Sequence, residues 1–251
     1  PSELIFTSGG TEADNMALHA AVTQLGVRRI ITSAIEHHAV GHTAEALKTH
    51  EQIEVVYLTL DSKGNIDLQE LRTYLQDGVP TIVSLMHANN EIATLLPLAE
   101  VAQLCRQNGA YFHSDTVQTM GHYAFDLATL DIDFITCAAH KFHGPKGVGF
   151  LYVNKKTRVN PLIHGGAQER GLRGGTENIA GVVGLAKAVE LAYTDLAAHQ
   201  AHVWGLKNYM ITRLQELFPD VLFHGETSYE KALYTVLNVC LPATPKAGLL
   251  L

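Results

Sequence analysis

Seven short stretches rich in β-branched or aromatic residues, at 4–7, 29–33, 54–58, 81–86, 111–114, 134–138 and 149–153, punctuate the first 153 residues of this chain. Between them, segments 12–25, 39–50, 68–76 and 98–108 repeat apolar residues every three to four positions. The first period reads as buried strands and the second as helices laid over them, so the pattern predicts an α/β fold with a mainly parallel sheet covered on both faces. Pro97 fits the first turn of the 98–108 helix, Asn108-Gly109 its end, and Asp61-Ser62-Lys63-Gly64-Asn65 a turn.

After Val153 the texture changes. Residues 160–178 are rich in Gly, Arg and Gln with little periodicity, the composition of a functional loop. Residues 178–217 read as one or two helices, and 221–223 and 233–239 as strands of a separate sheet. A domain boundary near residue 195 divides a large domain, 1–195, from the start of a smaller α/β domain, 196–251. The chain begins Pro1-Ser2-Glu3 without an initiator Met and stops inside the apolar run Leu249-Leu250-Leu251, which predicts a fragment lacking both termini.

With 18 Lys+Arg against 25 Asp+Glu, the net charge is −7, and no basic cluster is present to meet a phosphate backbone; nucleic acid is excluded as the expected partner. No apolar run approaches the roughly 18 residues of a membrane span, so no membrane association is expected. Cys105, Cys137 and Cys240 are an odd, widely spaced set, which argues against a disulfide framework and for a reducing, cytoplasmic compartment. Cys137 and Cys240 read as small buried hydrophobes.

Three places could carry chemistry. Phe6-Thr7-Ser8-Gly9-Gly10-Thr11-Glu12 is a strand, a small-residue turn and a helix start capped by Thr11, where free backbone N–H groups suit a phosphate. It matches neither GxGxxG nor GxxxxGK[ST]. Asp115, in His113-Ser114-Asp115-Thr116-Val117-Gln118, lies at a strand's carboxyl end, where open α/β sheets bind ligands. Lys141, in Cys137-Ala138-Ala139-His140-Lys141-Phe142-His143-Gly144-Pro145-Lys146-Gly147, follows another strand, and its apolar flanks predict a desolvated, nucleophilic amine. An ordinary capped turn, a solvated Asp and a surface Lys account for each of these taken singly. Together they are the parts that hold pyridoxal phosphate: an anion site, a carboxylate for the pyridine nitrogen and a Schiff-base lysine.

At this point the sequence resembles the fold-type I pyridoxal-phosphate enzymes, and within them the class V aminotransferase-like cysteine desulfurases. The matching stretches run in family order: Thr7-Ser8-Gly9-Gly10-Thr11-Glu12-Ala13-Asp14-Asn15, Glu36-His37-His38-Ala39-Val40, His87-Ala88-Asn89-Asn90-Glu91-Ile92, His113 to Gln118, His140 to Gly147, and Gly165-Gly166-Ala167-Gln168-Glu169-Arg170-Gly171-Leu172-Arg173-Gly174-Gly175-Thr176. The resemblance implies a large domain with a seven-stranded sheet, a homodimer, L-cysteine as substrate, and a sulfur-acceptor or scaffold protein as partner. It implies that Lys141 carries the cofactor and shuttles protons, that Asp115 pairs with the pyridinium nitrogen, and that Gln118 bonds the phenolic oxygen. His37 is expected to stack on the ring and exchange protons, and Asn90 to lie near ring and substrate. Gly10, Thr11 and His140 are expected to hold the phosphate, and Thr176 to reach the cofactor of the other subunit.

Two departures stand out. Ala138 occupies the position, three before the lysine, where many relatives carry a phosphate-binding Ser. The cysteine that takes the sulfur and the arginine that takes the substrate carboxylate are expected beyond Leu251. Other readings within the same fold are a selenocysteine lyase or an aminotransferase; outside it, a non-catalytic scaffold fragment. No metal site is expected. His38 and His42 have i,i+4 spacing, but the glutamate of HExxH is replaced by Ala39, and His19, His50, His122, His164, His199, His202 and His224 read as surface or satisfied interior groups.

Overall fold

The computed structural model of the chain describes residues 2–242. Strands β1 (Leu4–Thr7), β2 (Arg29–Thr32), β3 (Glu54–Tyr57), β4 (Thr81–Ser84), β5 (Tyr111–Asp115), β6 (Phe134–Ala138) and β7 (Gly149–Val153) form one seven-stranded sheet in the order β1-β7-β6-β5-β4-β2-β3. Pairings β2–β3, β2–β4, β4–β5 and β5–β6 are parallel, whereas β7 runs antiparallel to both its neighbours. The single reversed strand leaves β1 pointing the same way as the other five. The carboxyl ends of six strands therefore open on one rim, which is where the site lies.

Burial explains why these segments became strands. Every residue of β2, β4, β6 and β7 is buried, so these elements read as continuous apolar or small-residue runs. The outer strands differ: β1 alternates half-buried and buried residues, and β3 carries exposed Glu54 and Tyr57 at the open edge. Helices α1 (Gly10–Gln24) and α2 (His38–Glu51) cover one face, where Ala13, Met16, Ala17, Val40, Ala44 and Leu47 pack on Ile30, Ile82 and Phe134. Helices α3 (Leu68–Leu75), α4 (Leu98–Gln107) and α5 (Ile179–Thr194) cover the other, with Leu71, Leu104 and Leu185 packed in a cluster with Phe112 and Ile135. Each such fully buried large side chain contributes about 1.5–3 kcal/mol.

Asp195 separates α5 from α6 (Leu196–Leu217), on which Lys207 is the single buried residue while Leu206, Tyr209, Met210 and Leu217 are exposed. Beyond it, β8 (Leu222–His224) and β9 (Asn238–Cys240) form a two-stranded antiparallel ladder.

Several boundaries differ from the sequence expectation. Helix α1 begins at Gly10 with Gly9 as its cap, so Thr11 lies inside the helix and caps nothing. Pro97 is the cap of α4 and not its first residue. The expected strand over 233–239 shrinks to three paired residues, because Leu233 spends its backbone groups elsewhere: its N–H donates to the Ala93 carbonyl at 2.8 Å and its carbonyl accepts from Lys207 Nζ at 2.7 Å. Cys240 is exposed, since the β8–β9 ladder has no buried residue in either strand. Cys137 is buried in β6, as expected.

Candidate functional site

The rim of the sheet holds a cavity of about 210 Å³ lined by Gly10, Thr11, Asp14, His37, Met86, Asn90, Asp115, Val117, Gln118, Ala138, His140 and Lys141. Its walls come from the segments that follow β1, β2, β4, β5 and β6. Chain topology thus brings together residues 10 and 141 without either segment being near the other in sequence.

One end of the cavity suits an anion. No side chain caps α1, and the first N–H groups of a helix have no partner within it. The groups at Gly10 and Thr11 stand at the positive end of the helix dipole, facing the cavity. Gly10 is required for this approach: a Cβ there would come within 2.8 Å of Val117 Cγ2. Glu12 closes the far side of the turn, its Oε2 accepting from Ser8 N–H at 2.8 Å and its Oε1 from Arg173 Nε at 2.8 Å. Burial alone would raise the Glu12 carboxyl, but the Arg173 and Ser8 hydrogen bonds outweigh it and hold it below the usual range. Arg173 thereby pins the glycine-rich loop to α1.

The floor is acidic and buried. Asp115 is 6% exposed, and its Oδ1 accepts from Val117 N–H at 2.8 Å. Burial, with the neighbouring Asp14 carboxyl adding to it, pushes Asp115 up to about 7. Burial pushes Asp14 up to about 7 as well, and its Oδ1 has no hydrogen-bond partner. That oxygen lies 3.4 Å from His113 Nε2, but burial pushes His113 down to about 4, so the imidazole is neutral and the contact is not an ion pair. His113 is instead held by hydroxyls, Ser84 Oγ at 2.8 Å from Nδ1 and Thr136 Oγ1 at 3.0 Å from Nε2. Behind these, Glu36 accepts from Ser33 Oγ and Met86 N–H, and burial pushes it up to about 8. The zone therefore holds two buried carboxyls and the half-buried Glu36, with no buried cation opposite them among the described residues. Buried acids of this kind suit a cationic group on a ligand.

The upper wall carries the basic side chains. His37 caps α2, its Nδ1 accepting from Ala39 N–H at 3.1 Å, which places the neutral ring's proton on Nε2. Lys141 lies in a short 3₁₀ turn, Ala139–Phe142, after β6. Ala139 and Phe142 point inward and are buried, which turns His140 and Lys141 outward. Lys141 is therefore exposed, and the desolvated amine predicted from its apolar flanks is not what the structure shows. Its Nζ, like the side chain of Gln118, forms no hydrogen bond among the described residues. Burial pushes His140 down, with the positive charges of Lys141 and Lys146 adding to it.

Of the predicted site residues, Gly10, Thr11, His37, Asn90, Asp115, Gln118, His140 and Lys141 converge on this cavity. Thr176 does not: it is exposed in the glycine-rich loop and is absent from the cavity wall. Asp14 was not predicted. Its signal was legible, a lone carboxyl on an otherwise apolar face of α1, one turn after Gly10. Donor atoms of Asp14, His37 and Asp115 lie within 4.8 Å of one another. The His38 and His42 rings stack at 4.8 Å between centroids.

A free amine, open N–H groups at a helix start and a buried acidic floor together fit pyridoxal phosphate. The unpartnered Asp14 oxygen and the space that a Gly10 Cβ would fill both lie in the same cavity. Ala138 lies in the wall and supplies no hydroxyl to the anion end.

Residues 1–246 match the model of the family described as aminotransferase class-V. The chain is 41% identical over 239 residues to a cysteine desulfurase IscS of Clostridium botulinum (strain Hall), an alignment covering 94% of this chain and 60% of that protein. A solved NifS-like protein superposes with a TM-score of 0.89 at 39% identity, covering 96% of this chain and 66% of the other. A structure of SspA in complex with cysteine gives a TM-score of 0.79 at 33% identity, over 96% of this chain and 67% of that one. The chain spans about 60% of the length of the curated relatives it matches.

Proposed function

The chain belongs to the aminotransferase class-V family, and from that premise we propose that it is the cofactor-binding part of a pyridoxal-phosphate-dependent cysteine desulfurase. The observation that carries this reading is the convergence of eight predicted residues, Lys141 and Asp115 among them, on one cavity at the carboxyl ends of the strands. Similarity to proteins described as cysteine desulfurase, and to one solved with cysteine, supports the substrate.

Pyridoxal phosphate, when bound, supplies an aldehyde that condenses with amines and a ring that accepts an electron pair from the substrate. The chain's own residues do the rest. The N–H groups of Gly10 and Thr11, with His140, bind the phosphate. Asp115 holds a proton on the pyridine nitrogen, and this pairing relieves the cost of its buried charge. Gln118 would donate to the phenolic oxygen, His37 would lie by the ring and exchange a proton at Nε2, and Asn90 would orient the substrate. Lys141 would hold the cofactor at Nζ, and the same amine would accept and return protons at the substrate carbons.

Sulfur leaves L-cysteine for a thiolate on the enzyme, yielding L-alanine and a persulfide. None of the three cysteines lines the cavity, and Cys105 and Cys137 are buried in the core, so the accepting thiol belongs to another part of the whole protein. The proposal includes a homodimer in which Thr176 reaches the partner's cofactor, a large domain ending near residue 195, a sulfur-acceptor protein and a reducing, cytoplasmic setting. Among the described residues no helix is long and apolar enough to cross a membrane.

The test is a visible absorption spectrum of the chain mixed with pyridoxal phosphate, followed by borohydride reduction and peptide mapping. Modification at Lys141, lost in Lys141→Ala, is the expected result. A folded chain that takes up no cofactor at Lys141 refutes the reading and favours a scaffold role.

A further inference from the structure

The main chain at Lys141 is held from outside the cavity. His122, in the segment after β5, places Nε2 3.3 Å from the Lys141 carbonyl oxygen and Nδ1 2.9 Å from the Tyr234 hydroxyl. A carbonyl only accepts, so Nε2 carries the proton; Nδ1 of the neutral ring then accepts, and Tyr234 donates. The polarity of the chain from O–H through the imidazole to the carbonyl is thus set along its whole length.

Both ends are anchored. Tyr234 is 4% exposed, and its ring meets His122 edge-on at 5.6 Å and His199 at 6.0 Å between centroids. The preceding residue, Leu233, is fixed through both backbone groups by Ala93 and Lys207. The His122 carbonyl accepts from Gln200 of α6, and Tyr193 of α5 donates to the Tyr123 carbonyl at 2.9 Å. The groups facing His122 are Tyr234, His199 from α6, His143 from the residue after the 3₁₀ turn, and Lys141 itself. Asp195 stands across the adjoining cavity of about 310 Å³. Burial pushes His122 down, with the Lys141 carbonyl pulling upward and the two histidines adding to the fall, which favours the neutral ring that the polarity requires.

We propose that His122 and Tyr234 are positioning residues for Lys141, a hydroxyl–imidazole–carbonyl strut by which the C-terminal part of the chain fixes the backbone of the residue bearing the reactive amine. The need for such a strut follows from the exposure of Lys141. The Lys141 side chain is exposed and its Nζ forms no hydrogen bond among the described residues, so the direction of the amine depends on the turn that carries it. This inference rests on the proposed cofactor role of Lys141. It adds two residues that touch neither cofactor nor substrate, and it makes the amine's placement depend on residues 196–242.

The test uses the 251-residue chain and its Tyr234→Phe, His122→Leu and His122→Gln variants, each checked for folding by circular dichroism. Tyr234→Phe keeps the ring contacts and removes the donor. His122→Gln keeps an N–H in reach of the Lys141 carbonyl. Without cofactor, amide hydrogen exchange over residues 139–143 is expected to rise about tenfold in Tyr234→Phe and His122→Leu, and less than about threefold in His122→Gln. With pyridoxal phosphate, covalent capture at Lys141 is expected to slow about tenfold in the first two variants. The pH midpoint of their visible band should move by about half a unit or more, while His122→Gln stays near the parent.

Exchange rates, capture rates and midpoints equal to the parent's across the set overturn the strut and leave the cofactor role standing. A parent chain that captures no pyridoxal phosphate at Lys141 overturns the cofactor role, and the strut with it.

Discussion

Replacing Asp115 by Asn is expected to change the pH dependence of stability in the cofactor-free protein. The Asp115 carboxyl moves from 3.8 to about 7 on folding because burial opposes its charge. A group raised in this way contributes its stability at low pH, below the unfolded value near 4, and loses it as pH rises through about 7. Between pH 5 and pH 8.5 the loss is about 3 kcal/mol, since each decade of displaced proton affinity is about 1.4 kcal/mol. Asn keeps an oxygen for the Val117 N–H and has no proton to lose. Asp14 and Glu36 weaken the fold in the same direction, whereas His87 and His113, pushed down to about 4, weaken it as pH falls. His87 cancels in the comparison, whereas Asp14, Glu36 and His113 interact electrostatically with Asp115 and their contributions move with it. Urea unfolding at the two pH values is the assay. The stability gap between variant and parent should widen by about 3 kcal/mol at the higher pH. A gap constant to within about 0.5 kcal/mol would refute the claim that Asp115 is a buried, uncompensated acid. The same variant should bind pyridoxal phosphate more weakly, because an amide offers no counter-charge to the ring.

Two further outcomes follow from packing. Gly10→Ala drives a methyl to 2.8 Å from Val117 Cγ2, and β-branched Val117 cannot swing away freely. It should cost about 1–3 kcal/mol in thermal or urea unfolding and weaken phosphate binding by titration; an unchanged protein would show that the turn has slack. Of the three thiols, Cys240 alone should react with a maleimide under native conditions, whereas Cys105 and Cys137, buried and pushed up by burial, should react only after unfolding. Fast labelling of a second thiol in the folded chain contradicts the placement of the core cysteines.

The strands were legible where burial on both faces makes composition continuous. Phe134–Ala138 and Gly149–Val153 have the predicted bounds, and β2 and β4 differ only at their ends. The reversal of β7 was not legible, because a fully buried antiparallel strand has the same composition as a fully buried parallel one. The Gly10-Thr11 helix start, Asp115 and Lys141 could be read from their places at or after strand ends, whereas His37, Asn90, Gln118 and His140 were reached only through the family resemblance. Thr11 was misplaced as a cap since a Gly-Gly pair lets the helix begin two residues earlier. Lys141 was expected to be desolvated because of its apolar neighbours, but a 3₁₀ turn puts residues i and i+3 on one face, so Ala139 and Phe142 turn inward and His140 and Lys141 outward. The 233–239 segment has strand composition, yet Lys207 and Ala93 take the backbone groups of Leu233 that a ladder would use. Such competition depends on distant partners and leaves no local mark.

The ladder that pairs Thr7 with Gly149 has a consequence for how the protein is made. About 140 residues must leave the ribosome after Thr7 before its partner exists, roughly 10–30 s at ordinary synthesis rates. Until then Leu4–Thr7 is an unpaired apolar edge, and Gly10 and Thr11 have no fixed relation to Asp115 or Lys141. The anion end of the cavity is accordingly among the last features to form, and high sequence separation of this kind slows folding. Cofactor capture by a nascent or refolding chain would therefore register closure of the sheet, whereas backbone signals from α2 through β5 would register only its middle.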